Sequence, residues 1–291
     1  MTALAARAIG YAKRVIAPYY VRYLVHRHRD AMPYRSPEGA ELDEIDAAFR
    51  ERGIALRAWR LDPQALGRFK ALHPFPHDYH GGIGSRVWDE KLLEHFVAWS
   101  VLDLGRPGVR YVDVAGASSP WATLLRARGA EAYCVDLRVH AAYRGLDYYL
   151  ECDATRLPWP DASIDAMSLQ CAYEMFLGDS DTRFVKEAAR VLRPGGKVAV
   201  VPLYMHTHPC YYSTPEHYAK DCGDPGATKY LRKDAWGVPA SRKYTAGTLA
   251  ERVLAPAAAA GLDAEVSVLQ NPAEGGAGIY LRYFLTLTRR A

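Results

Sequence analysis

The first 29 residues of this 291-residue chain contain no acidic side chain, and its apolar runs fall short of the ~20 residues that cross a bilayer. The five cysteines form no Cys-x-x-Cys pair, and three of them fall in or near predicted strands. Such cysteines behave as small apolar side chains in a reducing compartment, so we expect a cytoplasmic protein. The net charge of +4 is small and scattered, which argues against a nucleic-acid-binding protein.

The N-terminal segment, residues 1–29, combines six basic residues with an apolar face that Pro18 interrupts. A basic amphipathic helix of this kind can lie on anionic lipid, here at the inner face of the membrane. An Arg-rich transit peptide is one alternative, and helices that pack on the domain with solvated arginine tips are another. The sequence therefore allows peripheral contact with an anionic membrane through residues 1–29 without requiring it.

The pattern of the chain changes near residue 100. Residues 1–100 are mostly helical in pattern and are predicted to form an N-terminal extension that caps the substrate site. Residues 101–291 form the main domain, in which short apolar strands alternate with helices, as in a parallel sheet with crossover helices. The first five predicted strands of this domain are 109–114, 131–135, 148–151, 166–170 and 197–202.

The C-terminal part departs from this simple alternation. An insertion rich in tyrosine follows the fifth strand over residues 203–244. A capping box at Thr248–Glu251 then predicts a helix that ends at Gly261. Two β segments, 262–269 and 279–288, finish the chain with a turn-rich stretch between them.

The most informative stretch is Cys152–Asp165, which reads Asp-Ala-x-x-Leu-Pro-Trp-Pro-Asp-x-Ser-Ile-Asp from its second residue. The segment Val191–Val198 follows with a Leu-Arg-Pro-Gly-Gly turn. Together these motifs resemble those of the class I S-adenosylmethionine-dependent methyltransferases. The resemblance implies a Rossmann-like, doubly wound α/β sheet of seven strands with the last strand antiparallel. It also implies S-adenosyl-L-methionine as the cofactor.

By this resemblance the cofactor lies on the loop after the first strand, outside the carboxyl ends of the strands. The family's acidic-x-Gly-x-Gly-x-Gly pattern is altered here. Asp113 is kept, but alanines stand at two of the glycine positions, 115 and 117, and Gly116 lies between them. Ala115 and Ala117 still let the backbone approach a ligand, provided that their φ angles are negative.

Acidic residues also follow the next two strands. Asp136 can accept hydrogen bonds from the two ribose hydroxyls of the cofactor. By resemblance, Asp153 meets the adenine amino group and Ala154 meets the ring, while Gln170 and Cys171 lie beside the methionyl part. The predicted cofactor residues are Asp113, Ala115, Gly116, Ala117, Asp136, Leu137, Asp153, Ala154, Gln170 and Cys171.

Two other classes of protein fit part of this sequence pattern. A nicotinamide dehydrogenase begins with a similar βαβ unit, but it prefers Gly-x-Gly-x-x-Gly and does not explain the proline-rich signature. A catalytically silent methyltransferase fold that serves as a binding partner would fit the altered glycines. Titration with S-adenosylhomocysteine would separate the silent fold from an enzyme.

Methylation of an alcohol needs a proton acceptor within hydrogen-bond reach of the hydroxyl. His206 and His208 follow the fifth strand and Glu174 follows the fourth, so these three are the predicted catalytic residues. His206 and His208 also have the spacing of a metal pair, yet no ligand-rich partner lies nearby in sequence. The other histidine cluster, 73–80, has the prolines of a structured loop. We therefore expect no metal.

The sequence indicates the methyl acceptor less clearly than it indicates the fold and the cofactor. Residues 169–181 together with Pro202–Tyr204 are similar to methyltransferases found with bacterial surface-polysaccharide assembly. This similarity favours O-methylation of a sugar hydroxyl in a glycan or glycolipid. A small aromatic or lipid metabolite is the alternative acceptor. The aromatic residues of the insertion suit stacking on either class, or they pack as a lid.

Overall fold

The computed structural model describes residues 19–291, and its centre is an eight-stranded sheet. In spatial order its strands are β1 (Leu56–Trp59), β10 (Leu262–Leu269), β11 (Tyr283–Arg289), β6 (Leu192–Val201), β5 (Ile164–Gln170), β2 (Arg110–Val114), β3 (Glu131–Asp136) and β4 (Tyr149–Glu151). Strand β11 runs antiparallel to both β10 and β6, and the other neighbouring strands pair in parallel. The antiparallel last strand is therefore confirmed.

The strand β1 was not predicted, so the expected seven-stranded sheet is corrected to eight strands. It lies in the N-terminal extension, which we expected to be helical, and it pairs in parallel with β10 at the edge of the sheet. Its two central residues are exposed, so its sequence lacks the apolar alternation that indicates a strand. Arg57 on β1 forms an ion pair with Glu265 on β10 at 2.8 Å. The pairing with β10, rather than local pattern, makes this segment a strand.

Helices cover both faces of the sheet, as in a doubly wound fold. They are α1 (19–27), α2 (Ala40–Glu51), α3 (Pro63–Leu72), α4 (Trp88–Val101), α5 (Trp121–Arg126), α6 (Ser180–Val191), α7 (Ala246–Leu249) and α8 (Ala255–Ala259). One core contains Phe49 of α2 and Phe184 of α6, and the other contains Phe69 of α3, Phe96 of α4 and Trp121 of α5. The sheet therefore separates two apolar cores.

Two further predictions from the sequence concern the helix that follows the insertion and the N-terminal segment. The capping box begins at Thr245 and not at Thr248, because the Thr245 hydroxyl accepts the N–H of Thr248 and the Thr248 hydroxyl accepts the N–H of Thr245. In the part of the chain from residue 19 onward, the structure has no helix with the length and apolar content to cross a membrane. Membrane contact through residues 1–29 falls largely outside the described residues and stays a prediction.

The insertion after β6 forms a small sheet of its own. Its strands, in spatial order, are β8 (Thr228–Leu231), β7 (Cys210–Ser213) and β9 (Ser241–Lys243). The sheet is fastened to α6 by the buried carboxylate of Asp181, which lies 3.0 Å from Arg242 and 2.7 Å from Arg252. The hydroxyl of Tyr244 donates a third hydrogen bond to the same carboxylate at 2.8 Å. Asp181 therefore joins the insertion to the main domain.

Replacing this carboxylate tests its structural role. Asp181→Asn is expected to lower the free energy of unfolding by about 3–5 kcal/mol, because it leaves buried guanidinium groups without their shared counter-ion. Urea denaturation followed by far-UV circular dichroism measures the change. The matched control is Asp179→Asn, which removes a solvent-exposed partner of Arg183 and should change stability by less than about 1 kcal/mol. Equal effects of the two substitutions would contradict this role.

Candidate active site

The carboxyl ends of the central strands and helix α4 enclose a cavity of about 140 Å³. Its walls come from the loop after β2, the end of β5, the inner face of α4 and the short 3₁₀ turn Tyr79–Gly81. The predicted cofactor residues that line it are Asp113, Ala115, Gly116, Ala117, Gln170 and Cys171. The structure therefore brings the residues after the first and fourth predicted strands to one cavity.

The loop after β2 keeps the backbone of a glycine-rich turn although it contains alanine. Ala115 has a φ angle of 55° and Ala117 has one of 47°, both in the left-handed region. Our expectation of negative φ at these positions was wrong, and each alanine there costs roughly 1–2 kcal/mol of strain. Gly116 is needed for a different reason, since a Cβ there would lie 2.6 Å from Cys134 Sγ and 2.7 Å from Asp113 Oδ2. The loop thus combines two strained alanines with an obligatory glycine.

Three residues that line the cavity carry a buried polar atom without a hydrogen-bond partner in residues 19–291. These atoms are Asp113 Oδ2, Gln170 Oε1 and His95 Nδ1. Burial raises the pKa of Asp113 to about 7, with Ser119 opposing the shift and the carboxylate of Asp136 adding to it. Burial also holds the pKa of His95 well below its usual value, so this ring is neutral. Because unpaired buried polar atoms are costly, the cavity suits a polar ligand that carries a cationic group.

A buried polar cluster joins α4 to the end of β5. The Nζ atom of Lys91 lies 2.9 Å from Glu94 Oε1 and 2.7 Å from Cys171 Sγ, and Cys171 Sγ lies 3.0 Å from the same Glu94 oxygen. Burial raises the pKa of Cys171, so its sulfur is a thiol at neutral pH. Burial opposes the charge on Lys91, but the acidic groups around it, among them the Glu94 carboxylate, outweigh it and hold the pKa of Lys91 well above its usual value. The cluster therefore holds an ammonium–carboxylate pair with a thiol beside it.

Two tyrosines extend this cluster toward a second cavity. The Tyr204 hydroxyl lies 3.1 Å from Cys171 Sγ, and the Tyr280 hydroxyl donates to Glu94 Oε1 at 3.2 Å. Their rings are nearly parallel, at 23°, with centroids 6.2 Å apart. Both residues also line a cavity of about 310 Å³, whose other apolar and aromatic lining residues include Tyr34, Leu42, Met205, Ile279 and Tyr283. Tyr204 and Tyr280 therefore lie between the two cavities.

The remaining predicted cofactor residues follow β3 and β4, beside the first cavity. Asp136 accepts two backbone hydrogen bonds, one of them from the N–H of Ala117 at 2.9 Å. Leu137, the next residue, is 74% exposed. Asp153 accepts a hydrogen bond from the N–H two residues further on at 2.9 Å, and Ala154 packs against the core. These four residues border the open side of the strand ends, and their cofactor contacts stay predictions.

The three predicted catalytic residues are separated in the structure. The imidazole of His206 accepts the N–H of Thr207 at 3.0 Å, and that of His208 lies 2.9 Å from the Tyr230 hydroxyl, so both rings contact the insertion rather than the 140 Å³ cavity. Burial lowers the pKa of His206 to about 4. Glu174 is buried on the 3₁₀ turn after Cys171, where burial raises its pKa while nearby lysine charges oppose the shift. Only Glu174 of the three lies near the buried cluster.

The polar residues that line the cavity but were not predicted include Tyr79, Lys91, Glu94 and His95. The signal for three of them was present in helix α4, in which every residue from Glu90 to Ala98 is buried. Residues 90, 91, 94 and 95 fall on one stripe of that helix because residues three and four apart share a face. A polar stripe on a helix without a solvent face indicates an internal polar site.

Comparison with known proteins agrees with this geometry. Residues 112–200 match the family described as "Methyltransferase domain". Demethylmenaquinone methyltransferase of Thermus thermophilus is 34% identical over 111 residues, which cover 34% of this chain and 50% of that protein. Ubiquinone/menaquinone biosynthesis C-methyltransferase UbiE of Bordetella avium is 29% identical over 119 residues, which cover 35% of this chain and 46% of that protein. The chain thus spans about half the length of these relatives.

A solved structure gives a broader but more distant likeness. It is the 1,6-didemethyltoxoflavin-N1-methyltransferase of Burkholderia thailandensis, with 1,6-didemethyltoxoflavin and S-adenosylhomocysteine bound. The likeness covers 89% of this chain and 94% of that one, at 17% sequence identity and a TM-score of 0.46.

Substitutions in the loop after β2 test its unusual backbone. Gly116→Ala is expected to abolish detectable binding of S-adenosylhomocysteine, because the new methyl group overlaps Cys134 and Asp113. Ala117→Gly, the neighbouring control, should leave stability unchanged or raise it by up to about 1 kcal/mol, because glycine adopts this φ without strain. Thermal unfolding with and without the ligand measures both. If Gly116→Ala binds S-adenosylhomocysteine normally, the loop does not have the backbone conformation described above.

The strand order, the loop at the carboxyl end of β2 and the family match at residues 112–200 point to one conclusion. The unpaired carboxylate and carbonyl oxygens of the cavity fit a cofactor with cationic sulfonium and ammonium groups. Residues 112–200 are therefore similar to a methyltransferase domain, and the cavity fits S-adenosylmethionine as its cofactor.

Proposed function

We propose that the whole protein transfers a methyl group from S-adenosylmethionine to a small aromatic acceptor with a ring hydroxyl. The observation that carries this proposal is the pair Tyr204 and Tyr280, which lie between the polar cavity and the aromatic-lined cavity of about 310 Å³. A methyl group must pass from a cofactor site to an acceptor site within bonding distance. The two tyrosines separate the cavities, so rotation of their rings would be needed to bring the acceptor to the methyl group.

The polar cavity would hold the methionyl part of the cofactor. Asp113 and Gln170 offer it unpaired buried oxygen atoms, and the loop around Gly116 lets its backbone come close. At about 140 Å³ this cavity is smaller than the roughly 300–1,000 Å³ of whole ligand sites. We therefore assign the nucleoside part to the open strand ends, with Asp136 as the ribose ligand and Asp153 near the base.

The aromatic-lined cavity would hold the acceptor. Tyr34 and Tyr283 join Tyr204 and Tyr280 in its lining, and such rings suit offset or edge contacts with a planar molecule. The names of the curated relatives place those proteins in quinone biosynthesis, which supports an aromatic acceptor for this chain, although the Bordetella avium protein is named a C-methyltransferase and so does not support oxygen as the methylated atom. The glycan hydroxyl that the sequence favoured has no counterpart among those relatives, so we do not retain it as the preferred acceptor.

The chemistry assigned to the chain's own residues is positioning and proton transfer. When bound, S-adenosylmethionine supplies an electrophilic methyl group on a positively charged sulfur. The bound cofactor would give this methyl group to the acceptor oxygen while its sulfur kept the bonding electron pair, so the task of the chain's own residues is to align the two. The hydroxyl proton goes to Glu94, whose carboxylate is held by Lys91 and Tyr280. Release of this proton makes the acceptor oxygen a better nucleophile.

The acceptor class is tested with methyl-labelled S-adenosylmethionine and two panels of acceptors. One panel contains small phenols and reduced quinones that lack one methyl group, and the other contains oligosaccharides and glycolipids. We expect labelled product with the aromatic panel. Transfer to the sugars alone would restore the glycan hypothesis and contradict the proposal. Binding of S-adenosylhomocysteine without transfer to either panel would favour the catalytically silent fold.

The assignment of residues is tested on the active acceptor. Glu94→Gln should lower turnover on the order of a hundredfold, the typical contribution of a general base, while binding of S-adenosylhomocysteine changes much less. Tyr280→Phe removes one hydrogen bond to Glu94 and should have a smaller effect. Tyr218→Phe, on the outer part of the insertion, is the matched control and should be as active as the wild type. Full activity of Glu94→Gln would exclude it as the base.

The pKa of Asp113 leads to a pH-dependent prediction. Because its pKa is raised to about 7 from an ordinary 3.8, its contribution to stability is full below pH 4 and is lost as the pH rises toward 7. A bound cation favours the carboxylate, so cofactor affinity should rise between pH 6 and pH 8, and binding at pH 7 should release up to about half a proton.

Calorimetry in buffers of different ionisation enthalpy measures this proton release. Asp113→Asn should abolish both the proton release and the slope of affinity with pH. Asp153→Asn is the control carboxylate, since its pKa is lowered and it stays ionised over this range. A wild-type slope that persists in Asp113→Asn would assign the proton to another group.

A further inference from the structure

The segment that leads into β7 brings three metal-binding side chains close together. His206 and His208 lie in the bent stretch just before β7, and Cys210 is the first residue of that strand. One donor atom from each of the three lies within 4.8 Å of the donor atoms of the other two. His206 is 6% exposed and Cys210 is 2% exposed, so this group of atoms lies mostly inside the protein.

We infer that His206, His208 and Cys210 form a zinc site that stabilises the insertion. Two imidazole nitrogens and one thiolate are donors that Zn²⁺ prefers, in a tetrahedral arrangement. Donor atoms around a tetrahedral zinc are roughly 3.3–3.8 Å apart, given zinc–nitrogen and zinc–sulfur bonds of about 2.0–2.3 Å. The donor atoms now lie within 4.8 Å of one another. Side-chain rotations that move them by about an ångström would bring them to these distances.

Neighbouring groups are placed to orient the ligands. The Nε2 atom of His208 lies 2.9 Å from the Tyr230 hydroxyl on β8, and its Nδ1 atom lies 3.2 Å from the hydroxyl of Thr207. Zinc-binding histidines commonly have a hydrogen-bond partner on the second ring nitrogen, which fixes the ring. With Nε2 of His208 bonded to Tyr230, its Nδ1 atom is the one we assign to the metal. A water molecule is then the fourth donor.

Charged groups around the site act in both directions. Lys243 on β9 is the direct register partner of Cys210, and its ammonium stabilises a thiolate while it repels a cation. The carboxylate of Glu41 on α2 favours positive charge at His206, whereas its ion-pair partner Arg35 opposes it. The assignment therefore depends on the arrangement of the three donors. The sequence interpretation, which found no third ligand for the two histidines, overlooked Cys210.

The full-length protein tests this inference without any assay of methyl transfer. After purification in zinc-containing medium and dialysis, elemental analysis should give about one zinc per chain. Replacement by Co²⁺ should produce the visible bands of tetrahedral cobalt together with a near-ultraviolet thiolate-to-cobalt charge-transfer band. Removal of the metal with a chelator should lower the midpoint of thermal unfolding, and zinc should restore it. Failure of the wild type to retain zinc and to show the thiolate band would overturn the inference.

Two cysteine variants locate the site. Cys210→Ser should lose the charge-transfer band and stoichiometric zinc, whereas Cys222→Ser, the other cysteine of the insertion, should keep both. Loss of zinc in Cys222→Ser with retention in Cys210→Ser would contradict the assignment. If Cys210→Ser does not fold, His208→Gln replaces it, and the wild-type cobalt spectrum still decides whether a thiolate binds the metal. If the protein binds zinc but methylates no acceptor, this inference holds and the proposed function fails.

Discussion

The buried pair Lys91–Glu94 is the interaction on which the site depends. Both residues lie on α4 beneath the carboxyl ends of the strands, where an unpaired charge would be very costly. Their donors and acceptors fix three distant segments of the chain: Cys171 at the end of β5, Tyr204 after β6 through Cys171, and Tyr280 in the loop before β11. Each of these segments would otherwise be a loop with several conformations. One ion pair thus organises the walls of both cavities.

Much of the fold was predictable because parallel strands are buried on both faces and appear as continuous apolar runs. The run at Ala132–Val135 is of this kind, and all seven predicted strands occur in the sheet. The positions of Asp113 and Asp136 followed from the same logic, since residues after successive parallel strands meet at one edge. The carboxyl edge of the sheet, and with it the general place of the site, could therefore be predicted from sequence.

Other features depend on contacts that a single sequence does not reveal. The strand β1 exists because β10 offers it an edge, and its own residues lack the pattern of a strand. The left-handed φ angles of Ala115 and Ala117 run against the preference of alanine and are set by the surrounding fold. The catalytic prediction for His206 and His208 rested on their place after the fifth strand, but the insertion turns both rings toward its own sheet. In each case tertiary structure overrides the local signal.

Tyr204 and Tyr280 couple ligand binding in one cavity to ligand binding in the other. Each ring forms part of the acceptor cavity, and each hydroxyl bonds to the polar cluster beside the cofactor cavity. A molecule that turns either ring breaks a hydrogen bond on the other side, so occupancy of one cavity changes the affinity of the other. Such coupling is reciprocal by thermodynamic necessity. Ligands of the two cavities would therefore bind cooperatively, each changing the affinity of the other by the same factor.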